Sequence, residues 1–330
     1  MSNILVLGAG AWGTAVANLI AKNTNRNVYL WSNEKKVADE INSLSINKKY
    51  LPKKKISHNI IASNHLPDTF CEIIFIVIPS QYIYDFFKKF KSIFYNYKEL
   101  KFVICSKGID LKRKELLSNI LKSFFPKSKI AILSGPSFAA EVLNNKPTAI
   151  TLATKNTKLA NITLKLLSNN HFRVYYSKDI IGVQINGTMK NVLAIAAGLT
   201  EGLKLGENAR AALIARGIKE IIRLVDAFGG KKETVIGLSG IGDILLTCVS
   251  KSSRNYKFGF MLGQKKNINL IAEKKKYVTE GLENIKIVYY FKRKYNLSMP
   301  ITDAIYGILV KKKPIDKVIR DLLSRPLSKE

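Results

Sequence analysis

The chain has 330 residues, 47% of them hydrophobic, enough for one large or two ordinary cores, and no uninterrupted apolar run reaches the ~18–20 residues of a membrane span. The net charge is +30, but the lysines are scattered, and no basic run is interleaved with aromatics as in a nucleic-acid module. The charge therefore reads as compositional bias. It predicts no specific nucleic-acid partner, although a positive field would attract a small anionic substrate. Met1–Gly8 has no basic leader and turns glycine-rich at once, unlike a signal peptide. Cys71, Cys105 and Cys248 lie far apart without metal-ligand spacing and read as reduced thiols of a cytoplasmic protein.

Residues 3–8 form a short apolar run suited to a strand buried on both faces, and Gly8-Ala9-Gly10-Ala11-Trp12-Gly13 leads from it into a helical pattern ending near Lys22. This is a G-x-G-x-x-G turn between strand and helix. Gly8 makes the tight turn, Gly10 lets a pyrophosphate approach the backbone, Gly13 lets helix and strand pack closely, and the free N–H groups of the helix start hold the phosphates. A dinucleotide is the predicted ligand. The second strand, 27–32, ends at Ser32-Asn33-Glu34-Lys35-Lys36. Glu34 suits the ribose 2′-hydroxyl of NAD, or is a first-turn acid of the next helix. Asn33, Lys35 and Lys36 would tolerate the 2′-phosphate of NADP, so the choice stays open.

Further strands are predicted at 60–62, 73–78, 102–105, 130–133, 149–153 and 172–176, with helices such as 82–94 and 159–167 between them. Such alternation predicts an α/β architecture, an N-terminal Rossmann doubly wound, mainly parallel sheet, with ligands beyond the C-terminal strand ends, where Pro79, Lys107 and Ser137 lie. After Tyr176 helical patterns dominate, at 179–199, 209–228, 243–249, 281–294, 301–309 and 315–323. The expected division is a dinucleotide-binding domain over 1–178 and an all-helical substrate and catalytic domain over 179–330.

The stretch Ile180–Ala194 is apolar on too many sides for a surface helix, yet carries Gln184, Asn186, Thr188, Lys190 and Asn191. Ser177 is its candidate N-cap, and Gly187 leaves a notch three residues before Lys190. A buried lysine needs a partner; otherwise it snorkels to water. Further along, Gly240 and Gly242 precede a helix start at Asp243, and Asp243 and Thr247 share a face. Ser253-Arg254-Asn255 places a hydroxyl, a guanidinium fork and an amide together, a good phosphate site. Taken singly, Asp243 also reads as an ordinary cap and Arg254 as a surface arginine.

Together these runs resemble bacterial NAD(P)-dependent glycerol-3-phosphate dehydrogenase over nearly the full length. The matching runs include Gly8–Ala15, Lys49-Tyr-Leu-Pro52, Ile78-Pro-Ser-Gln81, Ser106-Lys-Gly108, Gly135-Pro-Ser-Phe-Ala139, Lys190-Asn191, Asn208-Ala-Arg-Ala211, Gly240-Ile-Gly-Asp243 and Ser253-Arg-Asn255. The resemblance implies interconversion of sn-glycerol 3-phosphate and dihydroxyacetone phosphate, supply of the phospholipid backbone, NAD or NADP as cofactor, and a cytoplasmic homodimer. It assigns Lys190 as the general acid/base, with Asp243 and Lys107 as further catalytic positions. Lys107, Gly135, Ser137, Asn191, Asp243, Ser253, Arg254 and Asn255 fall at substrate positions. Gly8, Gly10, Ala11, Trp12, Gly13, Asn33, Lys107, Ala139, Arg254, Val278 and Glu280 fall at cofactor positions. Two departures stand out. Asn33 replaces a common arginine, and Asn186-Gly-Thr-Met189 replaces a Gly-Gly-Ala-Val type run, whose bulkier residues are expected to tighten the notch.

The residues are consistent with this chemistry. Ketone reduction needs a hydride and a proton, and an ammonium at Lys190 polarises the carbonyl and delivers the proton. Lys107 nearby would lower the lysine pKa, and Asp243 would orient Lys190 and limit that shift. His58, His65 and His171 lie in no motif, and no metal cluster is visible. The alternatives are a related lysine-dependent hydroxyacid dehydrogenase, disfavoured by Ser253-Arg-Asn255, and a non-enzymatic basic nucleotide-binding module, which need not retain Lys190 and Asp243.

Overall fold

A computed structural model describes residues 3–95, 99–264, 280–324 and 326. The chain groups into two compact units, one of Met1–Lys107 with Glu115–Val183 and one of Gly108–Lys114 with Gln184–Glu330.

The first unit is built on an eight-stranded sheet. Its strands are β1 (Asn3–Leu7), β2 (Val28–Trp31), β3 (Ile60–Ser63), β4 (Cys71–Ile76), β5 (Lys101–Ile104), β6 (Lys129–Ser134), β7 (Thr148–Ala153) and β8 (Phe172–Ser177). The spatial order is β8-β7-β6-β5-β4-β1-β2-β3. All neighbours pair in parallel except β6 and β7. This is the predicted doubly wound sheet, and every predicted strand is present. The central strands are apolar on both faces, with Ile4, Val6, Ile73, Phe75 and Val103 in one buried cluster and Leu5, Leu7, Ile74, Ile76 and Ile104 in the other. The second cluster is filled by edge-to-face phenylalanines, Phe87 against Phe102 and Phe125. The order reverses between β4 and β1, so the fingerprint turn after β1 stands at the sheet's switch point.

The second unit is helical. The long helix α1 (Ile180–Gly202) enters it, followed by α2 (Glu207–Ala227), α3 (Asp243–Val249), α4 (Arg254–Gly263), α5 (Glu280–Lys294), α6 (Pro300–Leu309) and α7 (Ile315–Leu323). Residues 182–200 are all buried, which explains an apolar pattern with no wet face. Among the described residues this helix alone is long and apolar enough to cross a membrane, and 89% of the relevant window is buried inside the protein.

Three local expectations need correction. Asp179, not Ser177, caps α1: its Oδ1 accepts the Gly182 N–H at 2.9 Å, while Ser177 Oγ accepts the Asp179 N–H one step outside. Asp243 is no cap, because a π-turn over Leu238–Gly242 runs straight into α3. Helix α4 begins at Arg254, where no helix was anticipated. Ser253 caps it by accepting the Tyr256 N–H.

Candidate active site

The cofactor end lies in the first unit. Gly8 has φ +117°, and a Cβ there would meet the Val77 backbone at 2.9 Å. A Cβ on Gly13 would lie 1.8 Å from the Gly8 carbonyl oxygen, so only glycine lets strand and helix approach this closely. A Cβ on Gly10 would meet nothing within 4 Å. The backbone is open where a pyrophosphate must approach. The helix that follows, Ala11–Thr24, has Gly10 at its N-cap and no side-chain cap. Its first N–H groups, including that of Trp12, are left for an anion. These residues fit a dinucleotide.

The other first-unit residues sit beyond strand ends. Ser106 Oγ donates to the Ile78 carbonyl at 2.5 Å and fixes the turn that carries Lys107. Gly135 has φ +157°, with Ile150 only 2.9 Å from any Cβ, and Ser137 Oγ donates to the Gly135 carbonyl at 3.1 Å. Ala139 opens a short helix, Ala139–Leu143, and Asn33 is exposed just past β2.

The catalytic candidates lie in the second unit. Lys190 Nζ donates to Asp243 Oδ1 at 2.6 Å, with side-chain exposures of 11% and 1%. This lysine is paired, not snorkelled. Thr247 Oγ1 donates to the Asp243 carbonyl at 2.6 Å and lies 3.4 Å from its Oδ1, so the shared face holds the carboxylate. Cys248 is fully buried beside the pair. Burial pushes its thiol up to about 12, which keeps it protonated, and the Lys190 charge offsets part of that rise.

Asn186, one turn before Lys190, points to the segment leading to Asp243, with Nδ2 donating to the Thr234 carbonyl at 3.1 Å and to Ser239 Oγ at 3.4 Å. Thr188 Oγ1 turns back to the Gln184 carbonyl at 3.1 Å. Asn191 is 3% exposed, and its Nδ2 has no hydrogen-bond partner in the structure. An unpaired buried donor is costly, which makes Asn191 a candidate ligand contact.

Glycines bring the phosphate candidates against the catalytic helix. A Cβ on Gly198 would lie 2.0 Å from the Tyr256 carbonyl oxygen, and one on Gly259 would lie 2.0 Å from that of Ile195. Cβ atoms on Gly202 and Gly263 would lie 2.2 Å from the Phe260 carbonyl oxygen and 2.6 Å from that of Leu199. Helices α1 and α4 thus touch backbone to backbone, which fixes the N-terminus of α4, with Ser253, Arg254 and Asn255, beside the helix bearing Lys190. A Cβ on Gly281 would lie 2.5 Å from Asn255 Oδ1, so that glycine leaves room for the amide. Sequence reading missed these glycine pairs. Their signal was two Gly-x-x-x-Gly spacings, 198–202 and 259–263. Glu280 begins α5, and Val278 lies outside the described residues. Among the described residues no group of histidine, cysteine and carboxylate side chains could hold a metal.

The family described as NAD-dependent glycerol-3-phosphate dehydrogenase N-terminus matches residues 3–160, and the corresponding C-terminus family matches residues 179–320. A glycerol-3-phosphate dehydrogenase (NAD(P)+) from Maricaulis maris is 40% identical over 329 residues, covering 99% of this chain and 98% of the relative. One from Bacillus velezensis is 39% identical over 331 residues, covering 98% and 95%. The crystal structure of glycerol-3-phosphate dehydrogenase from Coxiella burnetii superposes with a TM-score of 0.92 at 37% identity, covering 98% of this chain and 99% of that one. With both halves matched and the fingerprint, the buried Lys190–Asp243 pair and the Ser253-Arg-Asn255 helix start in place, the chain belongs to the NAD-dependent glycerol-3-phosphate dehydrogenase family.

Proposed function

We propose that this chain interconverts sn-glycerol 3-phosphate and dihydroxyacetone phosphate with NAD(P)(H), and that Lys190 is its general acid/base. The observation that carries the assignment is the 2.6 Å Lys190–Asp243 contact at a buried position. A bound nicotinamide supplies or accepts the hydride. Lys190 Nζ polarises the C2 carbonyl and gives the alkoxide its proton, and in the reverse direction it takes the proton back. Asp243 holds the ammonium in one orientation and balances its charge, and Thr247 fixes Asp243.

The phosphate is bound by the start of α4. Arg254 brings a guanidinium fork, Asn255 an amide, and Ser253 a hydroxyl proton that its capping bond leaves free. Asn191 Nδ2 donates to a substrate oxygen. Lys107, Gly135 and Ser137 keep the substrate roles implied by the resemblance, and Gly8, Gly10, Ala11, Trp12, Gly13, Asn33, Ala139, Val278 and Glu280 the cofactor roles. Holding the phosphate positions C2, so remote binding energy is used at the reacting carbon.

The reading extends to a cytoplasmic homodimer serving phospholipid synthesis, and to a domain boundary at residues 178–179. Exposed Leu205, Ile236, Leu245 and Val249 on the helical unit support self-association, which light scattering of the purified chain tests. The test of function is NAD(P)H oxidation with dihydroxyacetone phosphate against unphosphorylated dihydroxyacetone. Turnover confined to the phosphorylated ketone is expected. Equal turnover of a 3-oxo acid would favour the hydroxyacid alternative.

A further inference from the structure

Beyond the strand β2, the chain carries a device that bears on which nicotinamide nucleotide it takes. A carboxylate near this strand end normally accepts the ribose 2′-hydroxyl of NAD and repels the 2′-phosphate of NADP. Glu34 stands there, but both of its oxygens lie 2.6 Å from Lys49 Nζ, and the Tyr50 hydroxyl donates to Oε1 at 3.3 Å. The Lys49 hydrogen bond holds the Glu34 carboxyl below its usual range, so it is the charged form that the lysine neutralises.

Lys49 and Tyr50 are not on a free loop. Asn47 is fully buried, and its Nδ2 donates to the Ala9 carbonyl of the fingerprint turn at 2.8 Å and to Thr14 Oγ1 at 2.8 Å. Its Oδ1 accepts the Tyr50 N–H at 3.3 Å. One buried amide therefore ties the loop carrying Lys49 to the turn that receives the pyrophosphate. On the other side, the Glu34 N–H donates to Ser32 Oγ at 3.2 Å, which sets the carboxylate just past β2. Exposed Asn33, Lys35, Lys36 and Lys48 complete a rim with one neutralised carboxylate and several uncompensated ammonium groups.

We propose that Lys49 is a cofactor-selecting residue: it neutralises Glu34 and offers its ammonium to a 2′-phosphate, so that the chain binds NADP(H) more tightly than NAD(H). The proposal rests on the dinucleotide reading of the fingerprint, and goes beyond it by naming the discriminating pair. A divalent phosphate gains from Lys49 and loses nothing to Glu34. A 2′-hydroxyl meets a carboxylate already occupied by a lysine and a tyrosine.

The test is fluorescence titration of the full chain with NADPH and with NADH, without substrate, for wild type, Lys49→Met and Glu34→Gln. Wild type should bind NADPH more tightly. Lys49→Met exposes the Glu34 charge and should weaken NADPH about three- to tenfold relative to NADH, the scale of a partly exposed charge contact. Glu34→Gln releases Lys49 from the carboxylate and should tighten NADPH with little change for NADH, and the NADPH preference should shrink as salt rises. Both positions are substantially exposed, so melting temperatures should stay close to wild type, and Glu34→Gln alone carries the test should Lys49→Met fold poorly. A wild-type preference for NADH overturns the proposal, and so does a ratio of dissociation constants that neither substitution moves. Failure of the wild type to bind either nucleotide would instead remove the dinucleotide reading itself.

Discussion

Substituting Lys190 by methionine separates catalysis from packing only if Asp243 is treated with it. Methionine keeps the length and apolar stem of lysine, and residue 190 is 8% exposed, so packing changes little. Asp243 is 1% exposed and would lose the cation 2.6 Å away. Breaking one side of a buried pair costs about 3–5 kcal/mol, because the remaining charge has no compensation. In a domain of this size that lowers the melting temperature by roughly 6–20 °C. The double variant Lys190→Met/Asp243→Asn removes both charges and should regain most of that loss. Turnover should not return: both variants should fall by at least the ~10²–10⁴-fold usual for a proton-transfer group. The assay is kcat for dihydroxyacetone phosphate reduction beside calorimetric melting for wild type, single and double variants, with NAD(P)H affinity measured in each. Near wild-type turnover in either variant would refute the acid/base role. A double variant no more stable than the single would refute the account of the pair.

Gly10→Val should leave the fold intact, because a Cβ there meets no protein atom within 4 Å, while NAD(P)H binding falls below detection by titration. Arg254→Ala should raise KM for dihydroxyacetone phosphate by roughly 10–150-fold, the equivalent of the 1.5–3 kcal/mol of a charged hydrogen bond, and barely change the reaction of unphosphorylated dihydroxyacetone; equal losses on both would count against a phosphate contact. Glu220 is 2% exposed in α2 and accepts the Ile301 N–H at 2.6 Å, the Thr302 N–H at 3.1 Å and the Thr302 hydroxyl at 2.7 Å. Burial pushes its carboxyl up to about 7, against 4.5 for the ordinary group, so its stabilising contribution is complete below pH 4.5 and is lost as pH rises through 7. Up to roughly 3 kcal/mol should disappear across that window, and melting curves of Glu220→Gln against pH should lack this slope; parallel profiles for the two proteins would show that Glu220 does not titrate there.

The sheet was legible because its signals are local. Each strand is a short apolar run ending in a turn residue, and the fingerprint carries a constraint that acts within a few residues, as the contact of Gly13 with the Gly8 carbonyl shows. Helices with a continuous apolar pattern were legible for the same reason. Helix α4 was not, because its first residues, Arg254-Asn-Tyr-Lys257, are mostly polar and its buried residues begin only at Tyr256.

The pair at the centre of the site shows a different limit. Lys190 and Asp243 are 53 positions apart, and no local rule joins them. The sequence contains the polar residues, but their meeting depends on the chain between them. Asn186 holds Thr234 and Ser239, the π-turn over Leu238–Gly242 shifts the helical register, and Asp243 emerges opposite Lys190. Gly240 is required in that turn, since a Cβ there would lie 1.9 Å from the Val235 carbonyl oxygen. On the far side, α4 approaches α1 this closely because four glycines leave room for the opposing backbone. The helix bearing Lys190 is thus held by an asparagine and a π-turn on one side and by glycine-mediated backbone contact on the other. These long-range constraints are carried by residues whose types, glycine and asparagine, read in sequence as turn formers, so they become visible only once the helices are packed.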